Sequence, residues 1–328
     1  MNIFLRTFNN KINSKSGATL PEGQYRGSPE WLQFQNLLIK CLNELGNETE
    51  TCKEWSTLVD PDLEYTFDKR IYVHQTKREK LNGDLFWMQM HLRELFTIDT
   101  NGWGADHSEY PNFKSYFPHM DEYDSMRFCQ EKSDSLFSSG ISKVDQPQTT
   151  DMTPERFILV PTQTPRDYTL KHHSPITMKY FIDSVQAWAN ESRNHVVFKL
   201  HPFGRDADLV HAVESGLSHY VHKAEGNIHE LIKRSDGLFI INSGTGFESL
   251  IHGKPVASFG TCDYNSVTFN ADIRRLDEAR NFIYSYKEEW RRLAYKFVYW
   301  YCHHHAYDVT SPSTPERLTK YLRGALNA

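Results

Sequence analysis

Three short segments carry the groups that could do chemistry. Lys199-Leu-His201-Pro202 sets an ammonium and an imidazole two residues apart. The proline restricts His201 to extended backbone, so both cations sit at the end of whatever strand precedes them. They suit an anion, or simply cap the strand in water. Asn242-Ser243-Gly244-Thr245-Gly246-Phe247-Glu248 is a glycine-rich turn. Placed before a helix, it offers backbone N–H groups and two hydroxyls to a phosphate. It lacks the GxxxxGK[ST] form of a nucleotide-triphosphate loop and the GxGxxG form of a dinucleotide fold. Glu248 follows Thr245 by three residues, which fits either a capping box or a contact to a ribose hydroxyl. Asp167 lies in Pro161-Thr-Gln163-Thr-Pro-Arg166-Asp167-Tyr168, with Lys171, His172 and His173 close behind. Neighbouring cations keep a carboxylate ionised, the state that a nucleophile or base needs. A surface ion pair is the plainer alternative.

The elements that must position these residues are read from periodicity. After residue 154 short apolar runs alternate with amphipathic segments. Strands are expected at 157–160, 195–200, 219–222, 237–241 and 255–259, and helices at 175–190, 206–217, 227–234 and 245–252. Asn227 is the expected cap of the third helix. This alternation implies a parallel sheet covered on both faces, with ligands beyond the carboxyl ends of its strands. All three segments fall there. The first half is less regular. Residues 2–8, 71–74 and 95–98 read as strands, 29–45 and 84–95 as helices, and the polar stretch 130–154 as a linker. Near the end, Trp290, Leu293, Ala294, Phe297, Val298 and Tyr301 form one apolar stripe, with Arg291, Arg292 and Lys296 beside it. Such a helix can pack on the domains or lie on an anionic membrane surface. A final helix is expected at 314–326.

Composition bounds the answer. A chain of 328 residues is long enough for about two domains, each with its own core. The boundaries expected are 1–150, 151–285 and a helical tail at 286–328. At 39% hydrophobic and 24% charged the chain is too apolar to be disordered. A net charge of −5 excludes a broadly basic nucleic-acid binder but not a local cationic site. No apolar run approaches the ~18 residues of a membrane span, and the first residues lack the apolar core of a secretory signal. Five cysteines without a CxxC pair suit free thiols in a reducing cytoplasm. The clusters His172-His173 and His303-His304-His305 lack the spacing of metal ligands, so no metal is expected.

Taken in order, these residues resemble a known family. Phe157-Ile-Leu-Val-Pro-Thr-Gln163 with Asp167, Phe198-Lys199-Leu-His201-Pro202, Asn242-Ser243-Gly244-Thr245-Gly-Phe-Glu248, Gly253-Lys-Pro-Val and Gly260, Tyr264, Thr268 look like the capsule-polysaccharide glycosyltransferases. These are GT-B enzymes, among them transferases of Kdo (3-deoxy-manno-octulosonate). The resemblance covers about residues 155–270, and Phe96-Thr-Ile-Asp99-Thr-Asn-Gly102-Trp103-Gly104 is similar to a motif of the family's first domain. It implies an α/β GT-B fold, with two Rossmann-like domains facing a central cleft and C-terminal helices crossing between them. It implies a retaining, double-displacement Kdo transferase in capsule or lipopolysaccharide synthesis. CMP-Kdo would be the co-substrate, a glycan or glycolipid the acceptor, and no further cofactor would be used. Asp167 would be the nucleophile, Gln163 its positioner, and Asp99 the acid/base, with Asp106 and Glu109 as competitors. Lys199, His201, Pro202, Ser243, Gly244, Thr245, Glu248, Arg166 and Tyr264 would bind the nucleotide sugar. The His-Pro and Ser-Gly-Thr signatures are shared with bacterial sialyltransferases. A CMP-sialic acid or UDP-sugar donor, or a non-catalytic assembly protein on the same shell, therefore stays open. The setting implied is the cytoplasm, with attachment to the inner membrane or to assembly proteins left open.

Overall fold

A computed structural model of the chain describes residues 1–6, 29–52, 68–79, 84–143, 146–147, 150–165, 167–202 and 206–327. It divides into two compact α/β units, Met1–Pro111 with Cys302–Ala328, and Asn112–Tyr301.

The first unit holds β1 (Asn2–Arg6), β2 (Glu48–Cys52), β3 (Lys69–Val73), β4 (Leu85–Gln89) and β5 (Leu95–Asp99). Their order is β2-β1-β3-β4-β5, closed by the short strand Tyr307–Asp308. The first four run parallel, and β5 turns back against β4. Helix Pro29–Glu44 packs Phe34 flat on Phe96, with centroids 4.4 Å apart. Helix Thr314–Asn327 supplies Leu318, Leu322 and Leu326 to the same core. Two expectations are corrected or cut short here. The expected helix at 84–95 is β4 and β5. Leu85 to Gln89 is buried along its whole length between two strands, and such an apolar run has no polar face to show a period. The first strand is described only to Arg6; residues 7–8 of the expected 2–8 lie outside the described residues.

The second unit is a six-stranded, wholly parallel sheet. It comprises β6 (Ile158–Pro161), β7 (Val196–Lys199), β8 (Val221–Lys223), β9 (Gly237–Ile240), β10 (Val256–Ser258) and β11 (Phe269–Asn270). Its order, β8-β7-β6-β9-β10-β11, is that of a Rossmann sheet. Every position of β6, β7, β9 and β10 is buried. The crossover helices start where the sequence can cap them. Thr177 accepts from Tyr180 N–H at 3.1 Å to open Met178–Ser192, and Asn227 accepts from His229 N–H at 2.9 Å to open Ile228–Arg234.

Helix Glu122–Ser139 takes up the first ten residues of the stretch 130–154 expected to be a linker or long loop. Asp121 caps its start and Gly140, at φ +64°, ends it. Its buried stripe is Ser125, Cys129, Ser133 and Leu136. Small side chains let helices approach closely, yet they carry no apolar signal. The helix packs on Glu288–Trp300, where the Cys129 thiol lies 3.8 Å from the Tyr295 carbonyl. It therefore belongs to the second unit, as does Glu288–Trp300, so the units divide at residues 112 and 301 rather than at 150 and 285. The basic residues of Glu288–Trp300 are committed locally. Arg291 pairs with Glu288, Arg292 with Glu122, and Lys296 donates to the Pro118 carbonyl. No described helix is long and apolar enough to cross a membrane.

A buried polar chain ties Glu122–Ser139 to the sheet. Ser133 Oγ lies 2.7 Å from His252 Nδ1, His252 Nε2 lies 2.9 Å from His229 Nδ1, and His229 Nε2 lies 3.0 Å from the Ile141 carbonyl. Burial holds both imidazoles neutral, pushing His252 down to about 3 and His229 below its usual range. In the unfolded chain both would protonate near pH 6.5. Stability is thus fully present above that pH and is lost as pH falls toward the folded values. Denaturant midpoints at pH 7.5 and pH 5 are expected to differ by on the order of 2 kcal/mol from His252. His252→Leu should flatten that slope while costing stability at pH 7.5.

Candidate functional site

In the second sheet the chain leaves β6 toward β7 and β8, and leaves β9 toward β10 and β11. The β6/β9 boundary is therefore the switch point, where a crevice opens beyond the carboxyl ends. Gln163 follows β6 and Asn242 follows β9, and they join across it. Gln163 Nε2 donates to Asn242 Oδ1 at 3.0 Å, and Asn242 N–H donates back to Gln163 Oε1 at 3.3 Å. Thr169 stands between this pair and Asp167. Its hydroxyl lies 3.0 Å from Asn242 Oδ1 and 2.8 Å from Asp167 Oδ1, and it receives Gln163 Nε2 at 3.2 Å. Asp167 caps helix Tyr168–His173, and Oδ1 also accepts the Thr169 N–H at 2.9 Å. Both of these bonds fall on one oxygen of a half-buried carboxylate. Beside them, His201 N–H donates to Thr162 Oγ1 at 3.1 Å, which fixes the end of β7 against that of β6.

The turn after β9 is built tightly. Helix Thr245–Ile251 starts directly at Thr245, with Gly244 exposed at the tip. Thr245 N–H donates to Ser243 Oγ at 3.3 Å, and Gly246 N–H to the Ser243 carbonyl at 2.9 Å. The Tyr264 phenol donates to that same carbonyl from beneath. A Cβ on Gly246 would lie 2.6 Å from both Ile240 Cδ1 and the Tyr264 oxygen, so only glycine fits. Glu248 makes no capping box. Its Oε1 accepts from Ser142 Oγ at 2.6 Å, on the segment that leaves helix Glu122–Ser139.

That hydrogen bond brings Lys143 into the site. Burial pushes its ammonium down to about 8, against the opposing pull of Asp167, Glu248 and Asp263. Burial likewise raises Glu248 to about 7, while the Ser142 bond, Lys143 and Lys199 draw it down. Lys199, 4% exposed, is pushed down by burial with Glu225 and Glu248 opposing. Burial also lowers His201, with Asp167 pulling the other way and Lys199 adding to the fall. Asp263, 2% exposed, accepts from the Tyr301 hydroxyl at 2.7 Å. The arrangement is a partly dehydrated cluster of carboxylates and cations, suited to holding an anion and to presenting one carboxylate oxygen as a nucleophile.

Asp167, Gln163, Lys199, His201, Ser243, Gly244, Thr245 and Glu248 thus share one sheet edge, with Pro202 exposed beside His201. Arg166 lies outside the described residues. Tyr264, expected to bind the nucleotide sugar, is fully buried and instead supports the turn. Asp99 belongs to the first unit and is 2% exposed. It accepts from the N–H groups of Asn101, Gly102 and Ser108 and, at 2.5 Å, from Ser108 Oγ. His107 and these bonds outweigh burial and hold its carboxyl below the usual range. That is the geometry of a loop organiser, whereas a proton donor at neutral pH needs the opposite shift. Asp106 is taken by Arg78 at 2.8 Å, and Glu109 N–H by His107 Nδ1 at 3.1 Å. Sequence reasoning missed Lys143, Ser142, Thr169 and Asp263, and gave Asn242 no role. Only Thr169, in an Asp-x-Thr capping pattern, carried a local signal. Among the described residues no group of three or more His, Cys, Asp or Glu converges on a metal position.

Two substitutions test this construction. Glu248→Gln keeps an acceptor for Ser142 and removes a buried charge. It should stabilise the protein by on the order of 1–3 kcal/mol at pH 8, with the gain shrinking as pH falls through 7 and gone only below the unfolded carboxyl's value of 4.5. Gly246→Ala should cost on the order of 1–3 kcal/mol by overpacking against Tyr264 and Ile240. Both are read from denaturant midpoints.

Residues 105–321 match the model of the family described as capsule polysaccharide biosynthesis protein. No curated protein sequence matches the chain. Among solved structures, "Thermosulfurimonas dismutans KpsC, beta Kdo 2,7 transferase" is 16% identical with a TM-score of 0.54, covering 99% of each chain. The beta Kdo 2,4 transferase of the same KpsC is 16% identical with a TM-score of 0.43, covering 82% of this chain and 88% of that one. The UDP-GlcNAc 2-epimerase of Methanocaldococcus jannaschii, in complex with UDP-GlcNAc and UDP, is 9% identical with a TM-score of 0.41, covering 99% and 100%. The first likeness shows a shared GT-B fold with two Rossmann-like units. With the family model matched over more than half its length, the chain belongs to the capsule polysaccharide biosynthesis protein family.

Proposed function

We propose that the protein is a glycosyltransferase that moves Kdo from CMP-Kdo to a surface-glycan acceptor in capsule synthesis, with retention. The observation that carries this reading is Asp167. Its carboxylate sits at the switch point, with Oδ1 pinned by Thr169 and with Lys143 and His201 within electrostatic reach. Fixing one oxygen orients the other for attack on an electrophilic carbon. In the first step the carboxylate bonds to the anomeric carbon while the bond to the CMP phosphate breaks, and CMP leaves with the electron pair. In the second step an acceptor hydroxyl attacks the same carbon from the vacated side. The Asp167–carbon bond breaks with its electron pair returning to the carboxylate, and the acceptor hydroxyl's proton passes to solvent, so two inversions give retention. Lys199 and the Ser243–Thr245 turn would receive the donor's phosphate and carboxylate, and preset charges lower the barrier to a departing phosphate. Membership of the capsule family and the fold shared with a Kdo transferase support the sugar assignment.

The test is transfer from CMP-Kdo to a glycan acceptor, with CMP-sialic acid and UDP-sugars in parallel. Asp167→Asn should lose transfer by about a thousandfold or more and still bind CMP within threefold of wild type. Intact-mass spectrometry should find one sugar on the wild type and none on the variant. Transfer by Asp167→Asn overturns the nucleophile, and transfer from another donor alone overturns the sugar.

A further inference from the structure

The described residues between Gly140 and Asp151 are tied to the start of helix Ile228–Arg234 and to Glu248. Asn227 Nδ2 donates to the Gly140 carbonyl at 2.9 Å, and His229 Nε2 lies 3.0 Å from that of Ile141. Ser142 Oγ donates to Glu248 at 2.6 Å. Farther on, Ile228 N–H donates to Gln146 Oε1 at 3.2 Å and Asn227 N–H to Thr150 Oγ1 at 3.0 Å. The approach at Gly140 is so close that a Cβ there would lie 2.8 Å from Asn227 Nδ2. The bonds at Gly140, Ile141 and Ser142 fix the backbone that leads directly into the half-buried Lys143.

We propose that Lys143 is a specificity residue of this site, the cation that receives the phosphate of a bound nucleotide. The proposal deepens the donor-binding reading above and rests on it. Ser142 is tied to Glu248, one turn of helix after Ser243-Gly244-Thr245, so Lys143 arrives beside the turn whose hydroxyls suit a phosphate. The groups that face it come from three elements: Asp167 after β6, Glu248 on the helix after β9, and Asp263 after β10, the last also held by Tyr301. Lys199 and His201 complete the local charge, Lys199 acting on Glu248 and Asp167 acting on His201. The carboxylates outnumber the ammonium groups, so an incoming phosphate needs Lys143 charged. With its ammonium held at about 8, the charged form dominates at neutral pH and is lost as pH rises above 8. Affinity for a nucleotide monophosphate should therefore fall over the same range. Arginine at this position stays charged throughout.

The experiment is calorimetric titration of the full chain with CMP, UMP, GMP and cytidine at pH 7 and pH 9.5. It compares wild type, Lys143→Met and Lys143→Arg, with melting temperatures as a check of folding. For the monophosphate that wild type binds best, Lys143→Met should weaken binding about tenfold or more, with cytidine unchanged. Lys143→Arg should return within threefold of wild type. Between pH 7 and pH 9.5 wild type should lose about tenfold more than Lys143→Arg, whose own fall reports the ionisation of Glu248. Unchanged monophosphate binding by Lys143→Met, an equal loss for cytidine, or an alkaline fall as large in Lys143→Arg as in wild type overturns the proposal. A wild type that prefers UMP or GMP overturns the CMP reading and leaves the Lys143 comparison valid on that ligand. A wild type that binds none of the four overturns both.

Discussion

A parallel sheet that winds both ways from its centre has a seam, and here the seam is closed by two amides. Gln163 and Asn242 exchange hydrogen bonds across the divergent ends of β6 and β9. Without such a link the two loops would lean apart with their strands, and the crevice would have no defined width. With it, Thr169 acquires two neighbours at fixed distance and Asp167 acquires a fixed carboxylate. Thr169, and through it Asp167, takes its position from that pair. Buried amides cost desolvation unless fully bonded, and Asn242 is: its Nδ2 also donates to the Thr169 and Thr261 carbonyls.

Charge is the second constraint. Lys143, Lys199, Asp167, Glu248 and Asp263 are gathered together, and the shifts in proton affinity of Lys143, Lys199 and Glu248 follow from their burial. Buried ion clusters contribute little to stability and often reduce it. Their persistence here fits a site organised around a charged ligand rather than around the fold. The first unit handles a buried carboxylate differently. Asp99 is given four donors and stays ionised, which makes it part of the scaffold.

The second sheet was legible in the sequence because its strands are β-branched or aromatic runs and its helices carry periodic apolar faces. Phe157-Ile-Leu-Val, Val196-Val-Phe and the Asn227 cap all stand where periodicity and capping chemistry put them. Two elements were not legible, for opposite reasons. β4 is buried throughout and apolar from Leu85 to Met88, and so has no readable period. Helix Glu122–Ser139 buries Ser125, Cys129 and Ser133, and so has no readable apolar face. Losing that helix meant losing the segment behind it. Motif reading placed the residues that follow strands, Asp167, His201 and Ser243, since strand ends define that edge. It could not place Lys143, which reaches the edge from outside the sheet. Tyr264 was read by motif alone, and its full burial shows a support where a contact was expected.

A carbonyl oxygen can only accept a hydrogen bond, so the protons between Ser133 and Ile141 have a single order. His229 must donate through Nε2 to Ile141, His252 through Nε2 to His229, and Ser133 through its hydroxyl to His252. Reversing any link would set two lone pairs or two hydrogens face to face. Both imidazoles are therefore fixed as the Nε2–H tautomer, and the single carbonyl at the end of the chain sets the direction of every proton behind it.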